Sequence, residues 1–313
     1  MALLLQYTLI YASVLMLVAL GGCFSEHSGV INLGLEGTMV MGALGGALVM
    51  RNMPKLPGCA MLILVIFGSV IFGLIYSMLL AVAAISFKAD QTLVGTGMNL
   101  LGTAAATVFV KAINMRENRN NPSSAITYIN QKKAFSLMKI GQFEISWFML
   151  LAVLVLIAAY VVLYKTKFGL RLMACGEHPH AADSVGINVY KMRYAGVLIS
   201  GALGGIGGIV YITAGVSEWK FENGVAGFGF LALAVMIFGQ WKPQLIGLTA
   251  LFFGLLRALS NVYTGFDFLT ALHVPGTVYN MLPYVISLFV LAIFSGKSSA
   301  PKAAGIPYDM SQR

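Results

Sequence analysis

The sequence predicts an all-α integral membrane protein, a polytopic helical bundle of roughly eight to ten spans in one domain over residues 1–313. Three observations carry this. The chain is 58% hydrophobic and only 10% charged, where soluble domains carry roughly 25% charged residues. Leu3–Leu20, Cys59–Phe87 and Trp147–Tyr164 each run for 18 or more residues without a charge, and a helix of about 20 residues crosses the hydrocarbon core. Strand-like alternation is absent, which argues against a β-barrel.

The elements follow in chain order. Leu3–Leu20 is the first span. It leads into Leu20-Gly21-Gly22-Cys23, which loosely matches a lipidation box. No positive charge precedes it, as a signal peptide requires, so a retained helix is expected. Val30–Met50, Cys59–Phe87 and Thr92–Val110 are the next spans. A polar stretch over 114–145 is expected as an extracytoplasmic loop. Trp147–Tyr164 returns to the side of a polar insert, 165–193. Tyr194–Tyr211, Phe228–Gly239, Leu245–Ser260 and Val278–Phe294 complete roughly nine spans, of which short or Gly-broken ones are candidates for re-entrant segments. Residues 296–313 form a cytoplasmic tail.

The insert is the most informative stretch. It holds five basic residues, two acids and two of the four histidines, between long apolar runs. Pro179 suits a first helical position, where a missing N–H costs nothing. Gly186 suits the residue past a helix end. The residues between make only about two turns, too few to cross a bilayer but enough to present a surface to another protein.

The net charge of +9 is read as loop charge that sets orientation rather than as a nucleic-acid footprint. Lys88, the insert, Lys242 and the tail fit one side. Arg51, Lys55, Lys220 and the loop around Arg116–Lys139 fit the other. The insert and tail are expected in the cytoplasm. Cys23, Cys59 and Cys175 share no metal or redox spacing. No phosphate-binding loop occurs; Gly296-Lys297-Ser298 resembles its end, but position 291 is Leu. Gly227-Phe-Gly229-Phe-Leu-Ala232 mimics a dinucleotide fingerprint without a βαβ context. His178 and His180 are two apart, so they do not share a helical face for a metal. No catalytic constellation is found. Neither a catalytic residue nor a cofactor is expected on this chain.

Two patterns concern packing. Gly42 and Gly46, Gly201 and Gly205, and Gly204 and Gly208 are each four apart, which brings small residues onto one face for close helix contact. The run from Gly201 to Gly208 is also a place where a helix could bend. Gly29-Val-Ile-Asn-Leu-Gly34 and Gly224-Val-Ala-Gly-Phe-Gly229 share G-V-x-x-x-G. At the same offset Val40-Met41 matches Val235-Met236, and farther on Phe72-Gly73 resembles Phe253-Gly254. Repeated halves are common in transporters, with the path at their interface.

A few polar groups lie at membrane depth. Glu36 is either a path-lining residue or a group near a broken helix end, satisfied by N–H donors. Asn99 either bonds across helices or meets a polar substrate. Arg257 is expected to snorkel to a helix end. Phe228 and Phe230 could stack a ring-shaped ligand or serve as interfacial packing groups.

Gly29-Val-Ile-Asn-Leu-Gly-Leu-Glu-Gly-Thr-Met39 closely resembles the first signature of permease subunits of ATP-binding-cassette (ABC) importers, in the branch for ribose, simple sugars and nucleosides. Three segments agree with it: Gly169-Leu-Arg171 leading to Gly176-Glu-His-Pro-His-Ala-Ala182 and Gly186; Gly227-Phe-Gly-Phe-Leu-Ala-Leu-Ala234 running to Trp241-Lys-Pro243; and Met281-Leu-Pro-Tyr284 opening the last span. Within the branch the chain looks most like nucleoside permeases partnered by basic-membrane-protein-type lipoproteins. Histidines at 178 and 180 depart from the polar residue often found there. The resemblance implies a multi-pass subunit of the bacterial cytoplasmic membrane, surrounded by membrane lipid, without ATPase activity of its own. It implies a second, longer permease as heterodimer partner, an ABC ATPase holding ATP and magnesium, and an extracytoplasmic substrate-binding lipoprotein. Gly176, Glu177, His178, Pro179, His180, Ala181, Ala182, Asp183 and Gly186 would couple to the ATPase. Asn32, Glu36, Asn99, Phe228 and Phe230 are the candidates for the substrate path. A ribose-type sugar permease is the alternative, and an ATP-independent secondary transporter a third reading.

Overall fold

A computed structural model describes residues 2–128, 135–140, 143–214, 218–265, 275–294 and 299–309. Its helices are α1 (Ala2–His27), α2 (Leu35–Asn52), α3 (Gly58–Ala81), α4 (Gln91–Glu117), α5 (Trp147–Lys165), α6 (Lys167–Glu177), α7 (Pro179–Ser184), α8 (Val189–Thr213), α9 (Phe228–Phe238), α10 (Pro243–Val262) and α11 (Gly276–Phe294). Among the described residues six helices are long and apolar enough to cross a membrane: α1, α3 with its π-helical extension Val82–Ser86, α4, α5, α8 and α10 with the turn after it. Each of the nine predicted spans falls on one helix.

Of the other five helices, α6 and α7 are the short helices of the insert, and α2 and α9 fall short of a span for separate reasons. α2 carries Glu36 in its first turn and Arg51 in its last, which lowers its mean hydropathy. α9 has 11 residues, about 16 Å at 1.5 Å per residue, half a bilayer. α11 contains Pro283 and begins at Gly276, so Met281–Tyr284 lies inside the helix rather than opening it.

The core is built around α1 and α8, whose middles are buried along both helices. They run antiparallel: Gly21 lies against Ser200 and Leu203, and Gly207 against Val18 and Val14. The remaining packing repeats when the two halves are exchanged. α8 packs against α2 and α3, as α1 packs against α9 and α10; α4 contacts α2, as α11 contacts α9. The matched residues occupy equivalent places. Gly73 of α3 abuts Gly201 of α8, and Gly254 of α10 abuts Thr8 and Ala12 of α1. Because α1 and α8 point in opposite directions, the two halves are inverted copies.

Small residues allow this packing. A methyl on Gly42 would meet the backbone of Gly205, one on Gly201 the side chain of Ser77, and one on Gly208 the carbonyl of Met39. α8 runs unbroken through its glycines, so they are contact points and not a bend. Gly208→Ala should therefore force α2 and α8 apart and cost about 1–3 kcal/mol. A lowered midpoint of heat-induced precipitation in detergent would register it.

At one end, β1 (Ala125–Thr127) pairs antiparallel with β4 (Glu218–Lys220), and β2 (Ser136–Ile140) with β3 (Phe143–Ser146). Arg51 bonds Glu117 at 2.7 Å there, and Lys111 faces Glu222 at 3.7 Å. Within 114–145, α4 reaches Glu117 and β1, β2 and β3 follow; residues 129–134 and 141–142 lie outside the described set. The other end holds α6, α7, Lys88, Trp241 and residues 299–309. Of the tail, 295–298 and 310–313 are outside the described residues.

Candidate functional site

Two regions bear the candidate residues: a junction inside the bundle and the surface of the insert. The junction forms where α2 and α9 both begin. α2 follows the segment Gly29–Gly34, and α9 starts within the matching segment Gly224–Gly229. Gly224 (φ 57°), Ala226 (φ 52°) and Gly227 (φ 79°) take left-handed conformations. Ala226 bears a side chain in this strained region, and its carbonyl accepts a 3.0 Å hydrogen bond from the Tyr284 hydroxyl. The resulting turn aims backbone N–H groups at one point. Gly227 N–H donates to Glu36 Oε1 at 2.8 Å and Gly229 N–H to Glu36 Oε2 at 2.7 Å. A carboxylate at a helix N-terminus satisfies exposed donors and meets the positive end of the helix dipole. Gly229 lies so near the Glu36 backbone that a Cβ would come within 2.6 Å of the Glu36 Cα.

The other candidates around the junction are engaged as well. Asn99 of α4 accepts from Gly37 N–H at 2.9 Å and donates to the Leu33 carbonyl at 2.8 Å. Asn32 is buried; its Oδ1 accepts from Gly34 N–H at 3.0 Å, and its Nδ2 donates to Ser200 Oγ at 2.9 Å. Phe228 is fully buried between Tyr11 and Tyr211, with ring centroids 5.4 and 4.4 Å away. Phe230, one residue from Gly229, is 48% exposed. The five residues thus separate: four hold the junction of α2 and α9 together, and Phe230 presents a ring outside it.

Arg257 differs from its expected role. Its guanidinium carbon lies 5.4 Å from the Phe228 ring centroid. Nη1 donates to Asn280 Oδ1 at 2.9 Å, and Nε has no partner among the described residues. A neighbouring aromatic face draws the cation inward, where snorkelling would have carried it to the helix end. Glu26 carries no signal in the sequence pattern. It is buried near the end of α1 and accepts a 2.6 Å bond from Trp241 Nε1. The Trp241 carbonyl also receives Cys23 Sγ at 3.2 Å and pairs with His27 Nε2 at 3.0 Å. Cys23 is therefore interior to α1. The signal for this tie is Trp241-Lys-Pro243, present in the sequence but silent about its partner.

At the insert, Thr166 caps α6 by accepting from Gly169 N–H at 3.2 Å, and Pro179 starts α7. Gly186 has φ 84° and open space on the side where a Cβ would stand, so it ends α7 by turning left-handed. Cys175, Ala182, Val189 and Tyr308 form a small apolar core beneath the helix. Burial pushes the Cys175 thiol up to about 11, so it is inert at neutral pH. Glu177, His178, His180, Ala181 and Val185 are exposed, Val185 to 75%. Asp183 and Pro179 are half-buried, and Gly176 and Ala182 are buried. The nine insert residues thus form a short outward surface over an anchored base. Among the described residues no group of three or more His, Cys, Asp or Glu is arranged to hold a metal ion.

Known proteins resemble this arrangement along nearly its whole length. The chain is 38% identical to the guanosine ABC transporter permease protein NupQ of Bacillus subtilis (strain 168), over 98% of this chain and 96% of that protein. It is 39% identical to the nucleoside ABC transporter permease protein NupC of Lactococcus lactis subsp. cremoris, over 96% and 94%. It is 33% identical to the putative glucose ABC transporter permease protein TsgC13 of Haloferax volcanii, over 82% and 76%. The family described as branched-chain amino acid transport system / permease component matches residues 4–292. Spanning helices in two inverted halves, joined where α2 and α9 begin and matched by that family over residues 4–292, show that the chain belongs to it, as a multi-pass protein of the cell membrane.

Proposed function

We propose that this chain is the permease subunit of an ABC importer that carries nucleosides, driven by ATP hydrolysis on a partner. The observation that carries the reading is identity of 38–39% with two nucleoside permeases over nearly all of both chains. The α6–α7 surface at one end would dock on an ABC ATPase, which would hold ATP and magnesium; the chain itself needs no cofactor. Docking would put 165–193 and the tail in the cytoplasm and 114–145 outside, where a substrate-binding lipoprotein would deliver its cargo. A second, longer permease would complete the path, as the family resemblance implies. ATP-driven closure would favour one of two arrangements of packed helices. The α2–α9 crossing joins the inverted halves and is the natural place for that change to act.

Within this path Phe230 and Asn280 are accessible groups near the crossing, suited to a ring face and a polar edge. The likeness to the putative glucose permease supports a simple sugar as the second reading. The test is uptake by the assembled importer in proteoliposomes against a panel of nucleosides and sugars. Saturable, ATP-dependent uptake of a nucleoside that a large excess of glucose or ribose leaves unchanged is expected. Competition by the sugars would favour the second reading, and uptake without ATPase would sink both.

A further inference from the structure

The last described stretch, 299–309, lies along the insert and ties four distant parts of the chain together. Ala303 N–H donates to the Gly176 carbonyl at 2.8 Å, and Gly305 N–H to the Gly29 carbonyl at 3.3 Å. Arg193 Nη1 donates to the Ile306 carbonyl at 2.9 Å. Lys88 Nζ meets the Asp309 carboxylate at 2.8 Å. Tyr308 is buried, its ring 5.1 Å from His180 of α7 and 5.5 Å from Tyr190 of α8. The Arg193 guanidinium carbon lies 5.9 Å from the same ring. One strand therefore touches the end of α6, the start of α8, the turn after α3 and the segment that leads into α2.

These contacts have a mechanical consequence. α7 has six residues, far too few to be a stable helix alone. It holds its position through Ala182 and through the apolar cluster that includes Tyr308. On the far side of the strand, Gly305 packs against the Ile31 side chain. Ile31 is one residue before Asn32, within the lead-in to the α2–α9 crossing. Gly176 also abuts the His27 carbonyl directly, but that contact ends at α1, whereas the strand continues to Ile31. Arg193 is 1% exposed, and its Nε and Nη2 have no partner among the described residues. Its charge is thus held chiefly by the Ile306 carbonyl and the Tyr308 ring, an arrangement that small displacements of the strand would alter.

We infer that residues 299–309 are a coupling strap, a positioning element that carries movement of the docking helix to the Gly29–Gly34 segment and so to the helix crossing. The inference rests on the docking role of α7. Tyr308 is its grip on α7 and α8, Asp309 its tie to Lys88, and Gly305 its contact with the moving segment. The strap explains the place of His180, whose ring rests on Tyr308 while one edge stays exposed.

The test uses the complete importer in proteoliposomes with three variants: truncation before Ser299, Tyr308→Ala and Tyr308→Phe. Uptake per ATP hydrolysed is measured beside the yield of assembled complex. A second readout is the maleimide labelling rate of Ile31→Cys in a Cys59→Ser background, with and without nucleotide. Truncation and Tyr308→Ala should lower uptake per ATP about tenfold, a loss of the size expected for coupling between sites. Tyr308→Phe, which keeps the ring, should retain most of it. Nucleotide should change labelling at position 31 in the intact chain and leave it unchanged after truncation. Unaltered uptake per ATP in the truncated chain overturns the strap, as does a fall in uptake that only mirrors a fall in assembled complex. If the intact complex moves no nucleoside, the substrate reading fails, and the response at position 31 still decides the strap. If no ATPase co-purifies, the docking reading fails instead.

Discussion

Replacing Glu36 by glutamine should cut uptake about tenfold in an importer that still assembles, and replacing it by alanine should also destabilise the bundle by about 3 kcal/mol. Both figures follow from how the carboxylate is used. Its two oxygens each accept one backbone N–H, from Gly227 and Gly229, at 2.8 and 2.7 Å. Hydrogen bonds to a charged acceptor contribute roughly 1.5–3 kcal/mol each. Alanine removes both bonds and leaves the start of α9 with unsatisfied donors away from water. Glutamine keeps one acceptor but turns its NH2 toward the second donor, so one bond becomes a repulsive contact and the charge is lost. The N-terminus of α9 is then held on one side only. Because Glu36 belongs to α2 and its partners to α9, the loosened bond is the one that joins the two inverted halves. Uptake and the yield of assembled complex, measured together, separate the effects. A glutamine variant whose assembly falls as far as its uptake would make Glu36 a structural cap alone.

This junction also marks where sequence reading succeeds and where it stops. Long spans are local: a run of some 20 apolar residues has one favourable fate in a bilayer, and so α1, α3, α5 and α8 stand close to where composition places them. The broken starts of α2 and α9 are legible as two copies of G-V-x-x-x-G. Their union through Glu36 is not, because the partners are 191 and 193 positions away, and no spacing rule reports on contacts that remote. Trp241 and Glu26 are separated in the same way, by 215 positions. The distance of Arg257 from its helix end suggests snorkelling, whereas its direction is decided by the Phe228 ring on another helix. The strap is hidden for a different reason. Residues 299–309 have neither apolar periodicity nor a motif, and only the grooves they fill give them a conformation. The ends of α7, by contrast, are plain, since Pro179 and Gly186 act through their own backbones.

Disrupting the exposed face of α7 should abolish ATP-driven uptake while the chain still inserts and folds. Val185 is 75% exposed at an end of the bundle that carries Lys88, Lys191 and Lys242, where water rather than lipid is the alternative environment. An exposed valine just past the end of α7, with exposed Ala181 on the helix and a base anchored by Ala182 and Tyr308, is surface suited to burial in a partner's groove. Truncation of a well-packed interface anchor commonly costs about 2 kcal/mol or more, about thirtyfold in affinity, and a charge placed there costs desolvation as well. Val185→Glu combined with Ala181→Arg should thus release the ATPase and reduce uptake to background. Neither side chain supports the fold, so detergent stability should stay that of the unaltered chain. Replacing the whole of Gly176–Gly186 by a flexible linker is a less clean experiment. Gly176 is part of the base: its carbonyl receives the Ala303 N–H, and its Cα fits against His27. Restricting the replacement to Pro179–Val185 spares Gly176, though it removes Ala182. Co-purification of the ATPase is the deciding measurement. If the double variant keeps the ATPase bound and uptake intact, the docking surface lies elsewhere on the insert, with the exposed Leu170 of α6 as the next residue to change.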